Sequence, residues 1–457
     1  MQFHFVEAGN DTRSSRKAAR SHVMKGKHAG RTLSTRVRKS VHGTKQPQRS
    51  TVEPTGVIGS LRRMVGNDIS NFSPGAELLP HTRLLLHQFF SVVGDAIYPP
   101  EICHAPDPLK SAWLQYIIND KAFFHVSLAT VATCLDFFQR SEKDSEQAIL
   151  HTNQAFNMIN ERLSGAEALS DTTIGLACMF SVQESVRGDL EKYNVHLRGL
   201  YQMIELRGGI HVFEDNLEVL QKIYRTDVQY ALHTNSWPRY PYIEIPKHVM
   251  EELAITQGLV PRTISDIFQG TSTAVCQLVS DVERSCFMFN EICEKRRPTL
   301  AAPDFQGTLV SLCHRLVRIR LAEITTFSTV QRACLSGLAC YISSLMLQFG
   351  RQRHLRCDLL RHELRSVIQE PLGEVACSSR VRLWLLMLGS ISVFELEDDS
   401  WLLPLLNLEI ETMGLQDWMQ IEVQMRKFPW IGSFHCHQGK AMWSKLQNIS
   451  TTSSLED

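Results

Sequence analysis

From Leu84 onward the apolar residues recur at helical rather than strand intervals, and this spacing restricts the body of the chain to an all-α fold. Phe124, Leu128, Val131, Leu135 and Phe138 step by four, three, four and three residues, which puts them on one face of a helix. Ile149, Ala155, Phe156, Ile159 and Leu163 continue the pattern. Ser170, ahead of Asp171, supplies an N-cap for a helix through Ile174, Ala177, Cys178 and Val182. Leu190, Tyr193, Leu197, Leu200, Tyr201 and Ile204 build another, with Gly208 and Gly209 as its stop. Leu217, Leu220, Tyr224, Val228 and Ala231 carry a helix to about Thr234. The stretch 237–246 holds Pro238, Pro241 and Pro246, so it is predicted as a loop that separates two helical layers. Periodic segments resume over 264–293, 305–347, 355–368, 381–394 and 415–425. Alternating strand patterns are almost absent and no fixed repeat is visible, which predicts an irregular multi-helix bundle rather than a solenoid.

Nothing in the composition opposes a large core. Of 457 residues, 43% are hydrophobic and 21% charged, which excludes collagen-like, wholly disordered and disulfide-scaffold chains. The twelve cysteines form no C-x2-C pair and read as free thiols of a reducing compartment. Residues 1–6 are too short an apolar stretch for a secretory signal, so secretion is not expected. The apolar runs 383–394 and 335–349 fall short of the roughly 18 residues of a bilayer span. They are predicted to be buried helices, and no membrane partner is expected.

The formal net charge of zero conceals two opposite halves. Residues 1–63 carry fourteen Lys and Arg against Glu7, Asp11 and Glu53, whereas the remainder carries 34 Lys and Arg against 45 acids. A basic leader on an acidic body points to a polyanionic partner for the leader alone. Residues 1–63 lack the clustered apolar side chains whose burial would offset the entropy of ordering them, so a disordered arm is predicted there. A polar linker, 64–80, leads into the helical domain expected over 81–450, and 451–457 form a tail. Between residues 20 and 39 lie Arg20, Lys25, Lys27, Arg31, Arg36, Arg38 and Lys39, with no acid among them. Seven cations can neutralise several phosphates or serve as a nuclear-import signal. Base-specific readout would need a scaffold in a groove, which the arm does not offer.

Reaction chemistry finds little support. The nucleophile elbow, the H-E-x-x-H pair and the dinucleotide-binding glycines are all absent; His362 and Glu363 begin a zinc-protease motif whose second histidine position is Ser366. Glu395, Glu397, Asp398 and Asp399 resemble the magnesium-binding aspartates of terpene synthases, but Leu402 stands where a further carboxylate is needed. That cluster reads as a solvated helix end or loop. His435, Cys436 and His437 point in divergent directions and read as a surface turn, and Cys276, Cys286 and Cys293 as small hydrophobes of a helical core. No catalytic residue, metal or cofactor is expected.

Two stretches carry a family resemblance. They are HLRGLYQMIELRGG at 196–209, and Arg225, Asp227, Ala231, Thr234, Pro238 and Tyr240, which fit the pattern R-x-D-x3-A-x2-T-x3-P-x-aromatic. With them the body, roughly 80–450, resembles the fungal-specific transcription factor domain. The opening Phe3, Phe5 and Val6, followed by RSHVMKGK at 20–27, is similar to the start of a group of filamentous-fungal transcription-factor-like proteins. The six-cysteine zinc cluster that usually accompanies this domain cannot be built here, because no cysteine precedes Cys103. The resemblance implies a nuclear, non-enzymatic regulator of transcription, of a fungal metabolic or secondary-metabolite pathway. Its expected partners are DNA through the arm, the import machinery, transcription-machinery or co-regulator proteins, and a second copy of the chain. Two rival readings are an all-α enzyme with a helical cavity, terpene-synthase-like, and a partner-binding adaptor without DNA binding. Arg225 and Asp227 are expected to be structural rather than catalytic.

Overall fold

The helices of the N-terminal half are started and stopped by their own side chains. Ser170 accepts a hydrogen bond from the Thr173 amide at the head of the fifth helix, as the sequence predicts, and Asp120, Ser145, Asp189 and Asn216 cap others in the same way. A computed structural model of the protein describes residues 80–453 apart from 105–107, 142, 242, 257, 347–354, 356, 372–377 and 397. Residues 1–79, with the predicted arm and all seven of its cations, lie outside the described residues.

The elements run α1 (Pro80–Gln88), α2 (Pro108–Asn119), α3 (Lys121–Phe138), α4 (Glu146–Leu163), α5 (Asp171–Arg187), α6 (Leu190–Arg207) and α7 (Leu217–Thr234). A π-helical turn and a single α-turn carry the chain from α1 to Ile97. After the proline-rich loop come α8 (Lys247–Ile255), α9 (Thr263–Ile267), α10 (Thr273–Cys293), α11 (Ala302–Glu323) and α12 (Thr329–Met346). The chain ends in α13 (Asp358–Gln369), α14 (Ser378–Ser392), α15 (Leu402–Thr412), α16 (Trp418–Met425) and α17 (Gly432–Ser453). Among the described residues there is no strand, only one isolated bridge between Cys103 and Leu300, and the all-α class holds.

α3 lies against α4 and α5, α5 against α6, and α7 against α11 across the proline-rich loop. On the far side α12 packs on α13 and α14, and α14 on α15 and α17. Buried apolar side chains from Leu85 to Leu446 form one cluster that includes both sides of that loop. Close approach of α12 and α14 depends on Gly337, where a Cβ would collide with Trp384. α3 is the one helix among the described residues long and apolar enough to cross a membrane, although its apolar residues are interrupted by polar ones such as His125 and Thr130. Inside the fold 72% of it is buried against its neighbours.

Three predicted segments differ in the structure. The segment 264–293 is two helices, α9 and α10, parted at Gly270, whose φ of 84° lies in the left-handed region. The segment 305–347 is also two, because the chain turns at 324–328 between α11 and α12. Ile149, placed on the buried face of α4, is 48% exposed, and the helix buries Ala148, Thr152, Ala155, Ile159 and Leu163 instead. The eleven described cysteines carry no disulfide.

Candidate functional site

The family-like patch is a junction of α6, α7 and the proline-rich loop. α6 ends at Gly208 and Gly209, with φ of 121° and 101°, and the Gly209 amide donates to the Ile204 carbonyl at 2.9 Å. α7 ends on Asn235, itself left-handed, and Pro238 prevents the helix from resuming. What holds the loop is Asp227. Its Oδ1 accepts from the Tyr201 hydroxyl and from the Arg239 amide at 3.0 Å, and its Oδ2 accepts from the Tyr240 amide at 3.0 Å. Burial pushes this carboxyl above the ordinary range, and these donors oppose the shift. The Tyr240 ring then stands edge-on to Tyr201 and Tyr224, while its carbonyl accepts from His314 Nε2 at 3.1 Å.

Arg225 points the other way. Its Nη1 donates to Gln306 Oε1 at 2.7 Å, and Gln306 Nε2 donates to the Ile97 carbonyl at 2.7 Å, so one chain of polar groups ties α7 to α11 and to the turn after α1. Burial lowers the guanidinium to about 10. One turn earlier, Lys222 Nζ sits 4.6 Å from the Trp113 ring centre and 5.0 Å from that of Phe123, and burial lowers it to about 8. Each of the two motif residues thus ties α7 to a partner supplied by another part of the chain.

Asp399 corrects the solvated reading of the acidic cluster. It is fully buried; its carboxylate accepts from Arg361 Nε at 3.0 Å, from Trp401 Nε1 at 3.1 Å and from the Glu395 amide at 3.1 Å. Asp398 stays at the surface, 3.6 Å from Arg361. A carboxylate used in this way braces the turn between α14 and α15 and is not disposed to hold magnesium against a diphosphate. His435 corrects the surface-turn reading. It is buried in α17, where Nδ1 accepts from the Ile431 amide at 3.1 Å, so Nε2 carries the proton and donates to Ser344 Oγ at 3.1 Å. Cys286 is buried as predicted, whereas Cys276 and Cys293 are half-buried. Among the described residues no three His, Cys, Asp or Glu side chains are grouped to hold a metal ion.

Residues 83–233, one third of the chain, match the family model of the fungal specific transcription factor domain. Over that segment the chain is similar to the fungal specific transcription factor domain. No curated protein and no solved structure matches the chain. The match opens in α1 and closes one residue before the end of α7, so it takes in the 196–209 stretch, Arg225 and Asp227, while Thr234, Pro238 and Tyr240 stand just beyond it. The match associates that segment with regulators of transcription. None of the arm residues, Arg20 to Lys39, falls in the matched segment.

The matched segment encloses several buried histidines. His125 Nδ1 and His151 Nδ1 are 3.0 Å apart on facing helices, a distance at which one proton lies between them and a second has no place. Burial lowers His151, His196 and His233 to about 4. Between that value and an unfolded value near 6.5 the unfolded chain binds more protons, so stability falls as pH falls through this window. His196 and His233 together are expected to withdraw roughly 4 kcal/mol between pH 7.5 and 5. Urea midpoints at the two pH values check this, and equal midpoints would contradict it.

Proposed function

We propose that this protein is a nuclear regulator of transcription in which a helical body, continuing past the matched segment to about residue 450, receives a signal or a co-regulator. The basic leader, residues 1–63, drives nuclear import and contacts DNA through phosphates, without base-specific readout. The observation that carries this reading is the joining of a transcription factor domain to a leader with eleven excess positive charges, in a chain whose remainder has eleven excess negative ones. An acidic body alone is repelled by DNA; the leader supplies the attraction. Regulation of a fungal metabolic pathway and pairing of two copies belong to the same proposal, and the family supports both only by association.

Its test is the cellular distribution of a fluorescent fusion. The full chain is expected to concentrate in the nucleus, and deletion of residues 1–63 to leave it distributed through the cell. Undiminished nuclear accumulation after the deletion would remove the leader's role. Chromatin profiling of both forms then separates a regulator that touches DNA from an adaptor that reaches it only through another protein: the first loses most of its bound sites with the leader, the second keeps them.

A further inference from the structure

An open cleft of about 650 Å3 lies where the loop joining α3 to α4 meets the C-terminal end of α5. Ser141 lines it together with three cations, Arg140, Lys143 and Arg187, and two acids, Asp136 and Asp144. Both acids are engaged. Asp136 accepts from the Ser145 amide at 2.8 Å, and Asp144 pairs with Arg187 at 2.9 Å. Arg187 is held on its other side by the buried Glu184 at 2.5 Å. Arg140 is 57% exposed, lies in the left-handed region with φ of 54°, and stands 3.6 Å from Glu395 beyond α14. Ser141 and Lys143 are exposed on the same loop.

We propose that Ser141 is a phosphorylation site whose phosphate is received by this cleft. The hydroxyl is accessible on a surface loop, and it is followed by Glu142 and Asp144, acidic side chains one and three residues on, suited to a kinase with a basic substrate groove. A protein kinase transfers the terminal phosphoryl group of a nucleoside triphosphate. The Ser141 Oγ–P bond forms, the bond from that phosphorus to the bridging oxygen breaks, the nucleoside diphosphate departs, and the hydroxyl proton passes to the kinase's catalytic carboxylate. Nothing is oxidised or reduced.

Unmodified, Ser141 Oγ donates to the Lys143 carbonyl at 2.5 Å. The phosphate gives up that bond and brings about two negative charges and three acceptor oxygens next to Arg140 and Lys143. Arg140 is the cation next to Ser141 in the chain, and its guanidinium can form a charge-assisted, bidentate pair with a phosphate. Modification therefore adds a link inside the cleft, between the phosphate and Arg140. This inference is independent of the leader and of the nuclear reading.

Two experiments on the full-length chain test it. In the first, an acid-directed serine kinase with ATP is applied and the product mapped by mass spectrometry. Phosphate on Ser141, absent from Ser141→Ala, is expected; an unmodified Ser141 overturns the proposal. In the second, phosphoserine is installed at 141 during synthesis and titrated by phosphorus NMR. Its second ionisation is expected about half a unit or more below that of the same chain in urea, near 6, and to return toward it in high salt. Arg140→Gly, a residue suited to the positive φ, is expected to remove most of the shift. A phosphate that titrates alike in the folded and unfolded chain, or ignores Arg140→Gly, overturns the cleft's role.

Discussion

Replacing Asp227 by alanine is expected to remove about 4 kcal/mol from the stability of the folded chain, a large part of what a protein of ordinary stability possesses. Asp227 is 1% exposed and receives three hydrogen bonds, from the Tyr201 hydroxyl and the amides of Arg239 and Tyr240. Alanine accepts none, and the backbone amide of Tyr240, a buried residue, loses its acceptor. Losing the clamp also frees Tyr240 from its place between Tyr201 and Tyr224, so the loss extends from hydrogen bonds to packing. Asn at this position keeps the volume and one acceptor oxygen and is expected to cost roughly half as much. Asp398→Ala is the control: that carboxylate is exposed, its approach to Arg361 is 3.6 Å, and its loss is expected to change stability by less than about 0.5 kcal/mol. Denaturant midpoints of the three variants, compared with the parent, measure the series. Equal midpoints for Asp227→Ala and Asp398→Ala would show that the clamp contributes nothing.

The same residue shows where sequence reading succeeds and where it stops. The span of α7 was legible because its apolar residues repeat at helical intervals, and the structure adds Asn216 and Asn235 at its ends, where short polar side chains bond or bend the backbone locally. The five-residue α9 was read as one segment with α10, because it is too short to show a period of its own. α2, α8, α15 and α17 escape for another reason: exposed apolar residues such as Ile255 and Leu408, and polar buried ones such as His435, blur the alternation of faces. Asp399 and His435 were misplaced at the surface because their partners are far away in the chain. Arg361 precedes Asp399 by 38 residues and Ser344 precedes His435 by 91, and no local pattern announces such a pairing. The motif residues were recognisable as a pattern, yet Gln306 and His314, which complete their hydrogen bonds from α11, carried no signal of their own.

DNA affinity of the full chain is expected to fall about a thousandfold between 50 and 200 mM salt, if six or so of the cations from Arg20 to Lys39 meet phosphates. The slope follows from counterion release: each neutralised phosphate frees most of one bound cation, so log affinity drops by about 0.9 per phosphate per decade of salt. Six contacts give a slope near −5, and the fourfold salt change spans about 0.6 of a decade. Because the rest of the chain has 45 acids against 34 bases, deletion of residues 1–63 is expected to lower affinity at every salt concentration and to flatten the dependence as well. Fluorescence anisotropy with a duplex of arbitrary sequence measures both, and changing that sequence is expected to leave the slope unaltered, since phosphates are the same everywhere. A steep slope that survives the deletion would move the contact to the helical body. A shallow slope in the full chain would leave the leader's positive charge with import as its only use.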